Sequence, residues 1–451
     1  MNLHQVAEYC DGVLHGNNVE WQQVSTDSRS ITDGALFVAL RGATFDGHDY
    51  LADAATKGAV AAVAEQPVNS LPTVVVANSR RALGLLAAAW ADQFSLTRIA
   101  VTGNAGKTTV KEMIALMLSD PPAAAQVHAT RGNLNNDIGV PLTLLGLRPA
   151  HRFAVMELGA NAPGEITWTS SLVKADVCLI TNVTGAHLAG FGSMQGIAKA
   201  KAEIFQHHAA DALAIINADD SFADFFADQA ARADCRLLRV GEAATADWRI
   251  ENVRVLERSS SFTLAIGEQR FPVVVPLPGA HQVSNAALAL AAAIQAGADI
   301  QAAIRRLLAL QSVAGRMTVH DCLGGTLVDD TYNASPGAVR AAIDWLAAQP
   351  RPQVLVLGDL AELGQWSDKI HLSLGDYARQ AELDAVLAVG AQSALTATTF
   401  GSAGEPLADC QAAAQRAATC LQRGGTVLVK GSRNAAMNRV VEQLRDIGGE
   451  H

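Results

Sequence analysis

The run Gly103-Asn104-Ala105-Gly106-Lys107-Thr108-Thr109 sets glycines, a lysine and two hydroxyls side by side. Residues of these types bind phosphate. Glycines let backbone N–H groups approach phosphate oxygens, and the start of a following helix adds unpaired N–H groups and a partial positive charge. A lysine at position 107 reaches the β and γ phosphates, and a hydroxyl at position 108 ligates magnesium. The spacing is a shortened TGxxGKT form, because Val101 stands where the full GxxxxGK[ST] pattern has its first glycine. A strand-to-helix turn that carries these residues for structural reasons alone is the plainer alternative.

Other polar groups follow apolar runs, at the strand ends where open α/β sheets bind ligands. Glu157 follows the run 153–156, Asn182 follows 177–180, and His187 lies five residues beyond Asn182. Glu157 and His187 could hold magnesium directly or through water. Each alone is more often a cap or a loop hydrogen-bonding residue. Residues 195–208 read as a helix on which Ile197, Ile204 and Phe205 share a face with Lys201, while Lys199 faces away. A lysine directed inward is costly unless paired or neutralised. Either it snorkels at a domain edge, or it is a desolvated amine that can react with carbon dioxide to give a metal-binding carbamate. The amide-rich stretch 133–141 is a loop of the kind that carries ligand contacts. Near the C-terminus, 329–336, 358–364 and 427–433 follow strand-like runs and gather polar groups. Lys430, Ser432 and Arg433 there suit a carboxylate or phosphate.

The elements that must position these groups alternate strand and helix. Up to about residue 85, strand candidates at 35–40 and 73–76 with a helix at 49–57 make a small α/β unit. The second segment opens with 98–102, the phosphate run, and a helix with Val110, Met113, Ile114 and Met117 on one face. Further apolar runs at 153–156, 177–180 and 213–216 argue for a parallel sheet with helices on both faces. Residues 248–275 read as antiparallel strands, and 284–297 as an alanine-rich helix. From about 312 the strand–helix rhythm returns, at 326–328, 353–357, 385–389 and 426–429.

A chain of 451 residues suggests about three domains. The divisions are 1–85, 86–312 and 313–451. With 49% hydrophobic and 17% charged residues, the chain is globular and not disordered. Its net charge of -10 argues against a nonspecific nucleic-acid binder. The six cysteines form no CxxC pair, which fits reduced thiols. No signal peptide is expected at the acidic N-terminus, and the alanine-rich run 285–298 is too short to insert into a membrane. The expectation is a cytoplasmic monomer.

Taken together, the motifs resemble the Mur ligase family of ATP-dependent, amide-forming enzymes of peptidoglycan synthesis. The resemblance spans nearly the whole chain: Ser25 to Arg29, VALRGATFDGHDY at 38–50, TGNAGKTT, GNLNNDIGVP, Glu157, 182–187, Lys201, 279–285, Gly315-Arg316, DDTYNASP, GDLAELG and VKGSR. VALRGATFDGHDY and the last three point to the member that adds a dipeptide. Leu360 stands where methionine is common and Ala314 where proline is common, and neither touches a reacting group.

The resemblance implies an α/β fold of three domains. A central P-loop-type parallel-sheet ATPase domain would be flanked by a small N-terminal α/β domain and a Rossmann-like C-terminal one. The cofactors implied are ATP and Mg2+, and the substrates are UDP-N-acetylmuramoyl-tripeptide and D-alanyl-D-alanine. By this likeness Ser28, Arg29, Arg41, Asp46 and His48 would take the UDP end. Gly103 to Thr109 would hold ATP, with His281 and Asn285 near the adenine, Arg316 at the γ-phosphate and Asp330 at the ribose. Thr108, Glu157, His187 and a carbamylated Lys201 would serve the metal. Lys107, Lys201, His187 and Arg316 would be the catalytic groups. Asn135 and Asn136 would place the peptide, and Tyr332 and Asn333 would meet the dipeptide. The implied chemistry is an acyl phosphate formed on the tripeptide carboxylate and captured by the dipeptide amine. Such phosphoryl transfer needs positioning and charge neutralisation more than a protein nucleophile. A sister ligase adding one amino acid, a folylpolyglutamate synthase, a P-loop NTPase switch and a scaffold that merely retains the fold are the competing readings.

Overall fold

The computed structural model describes residues 1–42, 44–119, 126–185 and 188–449. The apolar run before the phosphate loop is strand Thr97–Thr102, and it lies inside a nine-stranded sheet. The order is Gln269–Val275, Ser260–Ile266, Trp248–Val255, Arg236–Gly241, His208–Asn217, Ala175–Ile180, Thr97–Thr102, Phe153–Glu157, Val127–Ala129. From Trp248–Val255 to Val127–Ala129 every neighbour is parallel. The strands at 260–266 and 269–275 turn back antiparallel, as the alternating pattern there implied.

Both faces of this sheet are covered. Along Thr97–Thr102, Ile99 and Val101 join one apolar cluster and Ala100 the opposite one. That two-sided burial explains why the strand reads as a continuous apolar run. The alanine-rich helix is Ala280–Gln295, and its residues 286–293 are all buried. Small side chains let it lie close against the phosphate-loop helix Lys107–Leu118.

The N-terminal sheet orders Val13–His15, Thr73–Val75, Ala59–Ala64, Ala35–Val38, Gln23–Ser25. Its Leu36, Val63 and Val74 belong to the same apolar cluster as Ala100 and Met156 of the central sheet, so the two units are joined by packing. Helix Ser79–Ala91 makes much of that joint, against helices Gly139–Leu145 and Glu165–Val173. The C-terminal sheet has six strands, in the order Thr318–Cys322, Gly325–Asp330, Thr426–Lys430, Gln353–Gly358, Ala385–Val389, Gly404–Leu407. Its first pair is antiparallel and the rest are parallel. Among the described residues no helix is long and apolar enough to cross a membrane.

One expected element is shorter than its periodicity implied. The helix read over 195–208 is Met194–Ala202, followed by a short 3-10 turn Glu203–Phe205 and then strand His208–Asn217. Ile204 and Phe205 stay buried because the tighter turn keeps them on the same side, so side-chain pattern alone could not show the break.

Candidate active site

The phosphate loop leaves the carboxyl end of Thr97–Thr102, between the parallel neighbours Phe153–Glu157 and Ala175–Ile180. This is the switch point at which open sheets bind ligands. Two glycines are required by its geometry. Gly103 has φ +142°, and a Cβ there would sit 2.0 Å from Thr181 Oγ1. Gly106 has φ +81°, and a Cβ would sit 2.4 Å from Asn285 Oδ1. The loop is held from the next strand end. Asn182 Oδ1 accepts from the Ala105 N–H at 3.0 Å, while Asn182 Nδ2 and Thr181 Oγ1 donate to the Ala105 carbonyl at 3.1 and 2.7 Å.

Lys107 folds back over the loop, donating to the Gly103 and Asn104 carbonyls at 2.9 and 3.1 Å. Burial lowers its ammonium below the usual range, the Glu157 carboxylate opposing and Arg316 adding to the effect. Thr108 Oγ1 donates to Glu157 Oε2 at 2.8 Å, and Asn135 Nδ2 donates to Glu157 Oε1 at 2.7 Å. Arg316, from the C-terminal segment, donates through Nη2 to Thr108 Oγ1 at 3.0 Å. Its guanidinium lies 4.1 Å from the centre of the Tyr332 ring, and among the described residues its buried Nε has no partner. A guanidinium with a donor to spare, held against Thr108 of the phosphate loop, fits a phosphate oxygen. The hydroxyl of Thr108 and the carboxylate of Glu157 fit magnesium, which takes one or two protein oxygens and completes its shell with phosphate and water.

A cavity of about 440 Å3 brings these groups together with Asn136, His281, Asn285, Asp330 and Asn333. Burial lowers the His281 imidazole, with Asp330 opposing and Lys430 adding to the shift. Lys430 Nζ donates to Asp330 Oδ2 at 2.5 Å and to the Asn333 carbonyl at 3.1 Å, which fixes the loop that carries Tyr332. Asn136 Oδ1 accepts from the N–H groups of Ile138 and Gly139 at 3.2 and 2.8 Å, so it braces the turn into the next helix and its amide nitrogen remains for a ligand.

Lys201 does not line this cavity. It faces inward at 1% exposure, with its ammonium 5.6 Å from the Phe191 ring centre, and Lys199 is exposed as expected. Burial and then the charge of Lys107 lower its pKa from 10.5 to about 7, with Glu203 and Glu165 opposing. Such an amine is about half neutral at pH 7 and mostly neutral by pH 8, the form that reacts with carbon dioxide. His187 lies outside the described residues.

The first-segment candidates lie elsewhere. Arg41 contacts Asp46 at 3.1 Å and Glu65 at 3.4 Å, and His48 Nδ1 meets Asp46 Oδ1 at 2.5 Å. Arg29 is exposed and paired with Asp27, and Ser28 is buried.

Sequence reasoning passed over Lys111 and Thr130. Lys111 is fully buried and donates to the Thr130 carbonyl at 2.5 Å, while the Thr130 hydroxyl accepts from the Glu157 N–H at 2.9 Å. The face test that singled out Lys201 would have found Lys111, since it lies three residues before Ile114.

A central α/β unit whose phosphate loop and carboxylate–hydroxyl pair meet an arginine from the C-terminal α/β unit, with a third α/β unit packed at the N-terminus, defines a multidomain nucleotide-dependent enzyme. Family comparison makes this specific. Residues 101–293 match the Mur ligase middle domain, 315–433 the Mur ligase glutamate ligase domain, and 20–103 the Mur ligase family catalytic domain. The chain belongs to the Mur ligase family. It is 41% identical to the UDP-N-acetylmuramoyl-tripeptide–D-alanyl-D-alanine ligase of Escherichia coli (strain K12), over 99% of each chain. The crystal structure of MurF from Acinetobacter baumannii superposes with TM-score 0.92 at 33% identity, over 98% of each chain. MurF ligase from Thermotoga maritima in complex with ADP superposes with TM-score 0.84 at 31% identity, over 94% of this chain and 97% of that one.

Proposed function

We propose that this chain is an ATP-dependent ligase that joins D-alanyl-D-alanine to UDP-N-acetylmuramoyl-tripeptide, forming the pentapeptide precursor of peptidoglycan with release of ADP and phosphate. The observation that carries this reading is the shared cavity, where the phosphate loop and Glu157 of the central unit face Arg316, Asp330 and Tyr332 of the C-terminal one. The tripeptide carboxylate attacks the γ-phosphorus, the bond to ADP breaks, and an acyl phosphate forms. The dipeptide amine then attacks the acyl carbon, loses a proton, and phosphate leaves.

Lys107, the loop amides and Arg316 bind and neutralise the phosphates, which is most of what phosphoryl transfer requires. Magnesium, when bound by Thr108 and Glu157, adds Lewis-acid charge on the phosphate oxygens. His281 and Asn285 take the adenine side and Asp330 the ribose. Asn135 and Asn136 orient the peptide, and Tyr332 and Asn333 meet the dipeptide. The UDP end goes to the first unit through Ser28, Arg29, Arg41, Asp46 and His48. His187 and, if carbamylated, Lys201 would support the metal. The units divide at 1–85, 86–312 and 313–451, with the first division inside helix Ser79–Ala91. The enzyme works in the cytoplasm, where ATP is supplied; its six cysteines are free thiols.

The test is phosphate release with ATP, magnesium and the UDP-linked tripeptide, with and without D-alanyl-D-alanine. Release that depends on the dipeptide, with a matching mass gain in the UDP product, is expected. Release without dipeptide would replace this reading with an NTPase, and release only with a single amino acid would replace it with a sister ligase.

A further inference from the structure

Asn135 is fixed from an unexpected direction. Two residues after it, Asp137 receives Arg80 in a two-pronged pair, with Nη2 to Oδ1 at 2.7 Å and Nε to Oδ2 at 2.5 Å. Arg80 belongs to helix Ser79–Ala91, which reaches from the first unit onto the central one. The start of that helix is tied to Glu65, which accepts from the Ser79 N–H at 3.3 Å. The same Glu65 carboxylate faces Arg41 at 3.4 Å, and the Glu65 N–H donates to His48 Nε2 at 3.0 Å.

Polar contacts joined by short stretches of backbone at 79–80 and 135–137 therefore run from Arg41 and His48, through Glu65, the helix start and the Arg80–Asp137 pair, to Asn135 and the Glu157 carboxylate. Neither Arg80 nor Asp137 lines the central cavity. A planar guanidinium gripping both carboxylate oxygens fixes orientation as well as distance, which a single point contact does not.

We propose that Arg80 and Asp137 are positioning residues that couple the UDP-binding unit to the nucleotide–metal site by holding the asparagine loop in register with Glu157. The inference rests on the proposed function. When the UDP end settles on Arg41 and His48, Glu65 and the start of the helix are fixed. The Arg80–Asp137 clamp then carries that order to Asn135, so that Glu157 meets ADP and magnesium already placed. Contiguity alone does not demonstrate coupling; a change in reciprocal affinity does.

The experiment measures ADP affinity by calorimetry in magnesium buffer, with and without saturating UDP-N-acetylmuramoyl-tripeptide, for the full chain, R80Q, D137N and the reversed pair R80D/D137R. The wild type is expected to bind ADP about five-fold or more tightly when the tripeptide is present. R80Q and D137N are expected to lose most of that factor while keeping their affinity for ADP alone within about two-fold and their melting temperature within a few degrees. The reversed pair is expected to recover coupling that neither single change retains. A purely structural role would lower the melting temperature or ADP affinity and leave the ratio intact. Unchanged coupling in both single variants, no coupling in the wild type, or no recovery in the reversed pair overturns the proposal. Failure of the wild type to bind the UDP-linked tripeptide at all instead overturns the functional reading on which it rests.

Discussion

Replacing Lys201 by methionine should make the protein more stable and nearly inactive. Lys201 is 1% exposed, and burial together with the Lys107 charge has brought its pKa from 10.5 down to about 7. The folded state therefore holds this proton less tightly than the unfolded chain, where lysine has its ordinary value. Stability rises with pH between about 7 and 10.5, and the whole cost is present below about 7. At about 1.4 kcal/mol per pH unit, the gap remaining near pH 8 corresponds to about 3 kcal/mol of destabilisation. In K201M the thioether fills the space of the aliphatic stem with no group to desolvate. What it gives up is the ammonium–Phe191 contact at 5.6 Å, which is weak near pH 8 because the amine is mostly neutral there. The expected gain is about 2–3 kcal/mol near pH 8, shrinking to nothing by about pH 10.5. Urea denaturation in CO2-depleted buffer reads the stability, and dipeptide-dependent phosphate release reads the activity, expected below about a hundredth of wild type. A variant no more stable than wild type near pH 8, or a difference that does not shrink as pH rises, would refute the argument that burial strips this lysine of its proton.

G106A should weaken ADP binding by about ten-fold or more, because a left-handed alanine costs about 1–2 kcal/mol and its methyl group must displace Asn285; calorimetry measures the affinity. E157Q keeps a side chain of the same shape beside Thr108 and Asn135 but removes the charge, so the magnesium concentration for half-maximal activity should rise about ten-fold with little change in the KM for dipeptide. R316K loses the planar donor set beside Thr108 and the stacking on Tyr332, and kcat should fall about 10²–10³-fold with only a small change in melting temperature. Equal falls in kcat and melting temperature for R316K would mark Arg316 as a domain-packing residue instead.

Local pattern carried much of this protein. The phosphate loop is legible because its function depends on neighbouring residues: a strand, glycines with φ of +142° and +81°, and a helix start within a few positions. Lys201 could be placed inside from its helical face alone, because side-chain direction follows the 3.6-residue period. That same period overran the end of its helix, since the 3-10 turn at 203–205 keeps the apolar residues on one side.

Resemblance to the family assigned Arg316 and Asp330 to the nucleotide, but no local pattern says what each touches in the fold. Strand pairing within the C-terminal sheet sets Lys430 beside Asp330, and only the packing of separate units sets Arg316 against the Thr108 hydroxyl and Arg80 against Asp137. Each of these pairs joins segments far apart in the chain. Local periodicity fixes which way a side chain points from its own element, and the distance between elements is set by the apolar surfaces they bury against one another. The sequence by itself thus determined the phosphate-binding chemistry and the alternating α/β elements. The tertiary structure alone decided which distant charges complete the site, because burial acts on the whole chain and not on neighbouring residues.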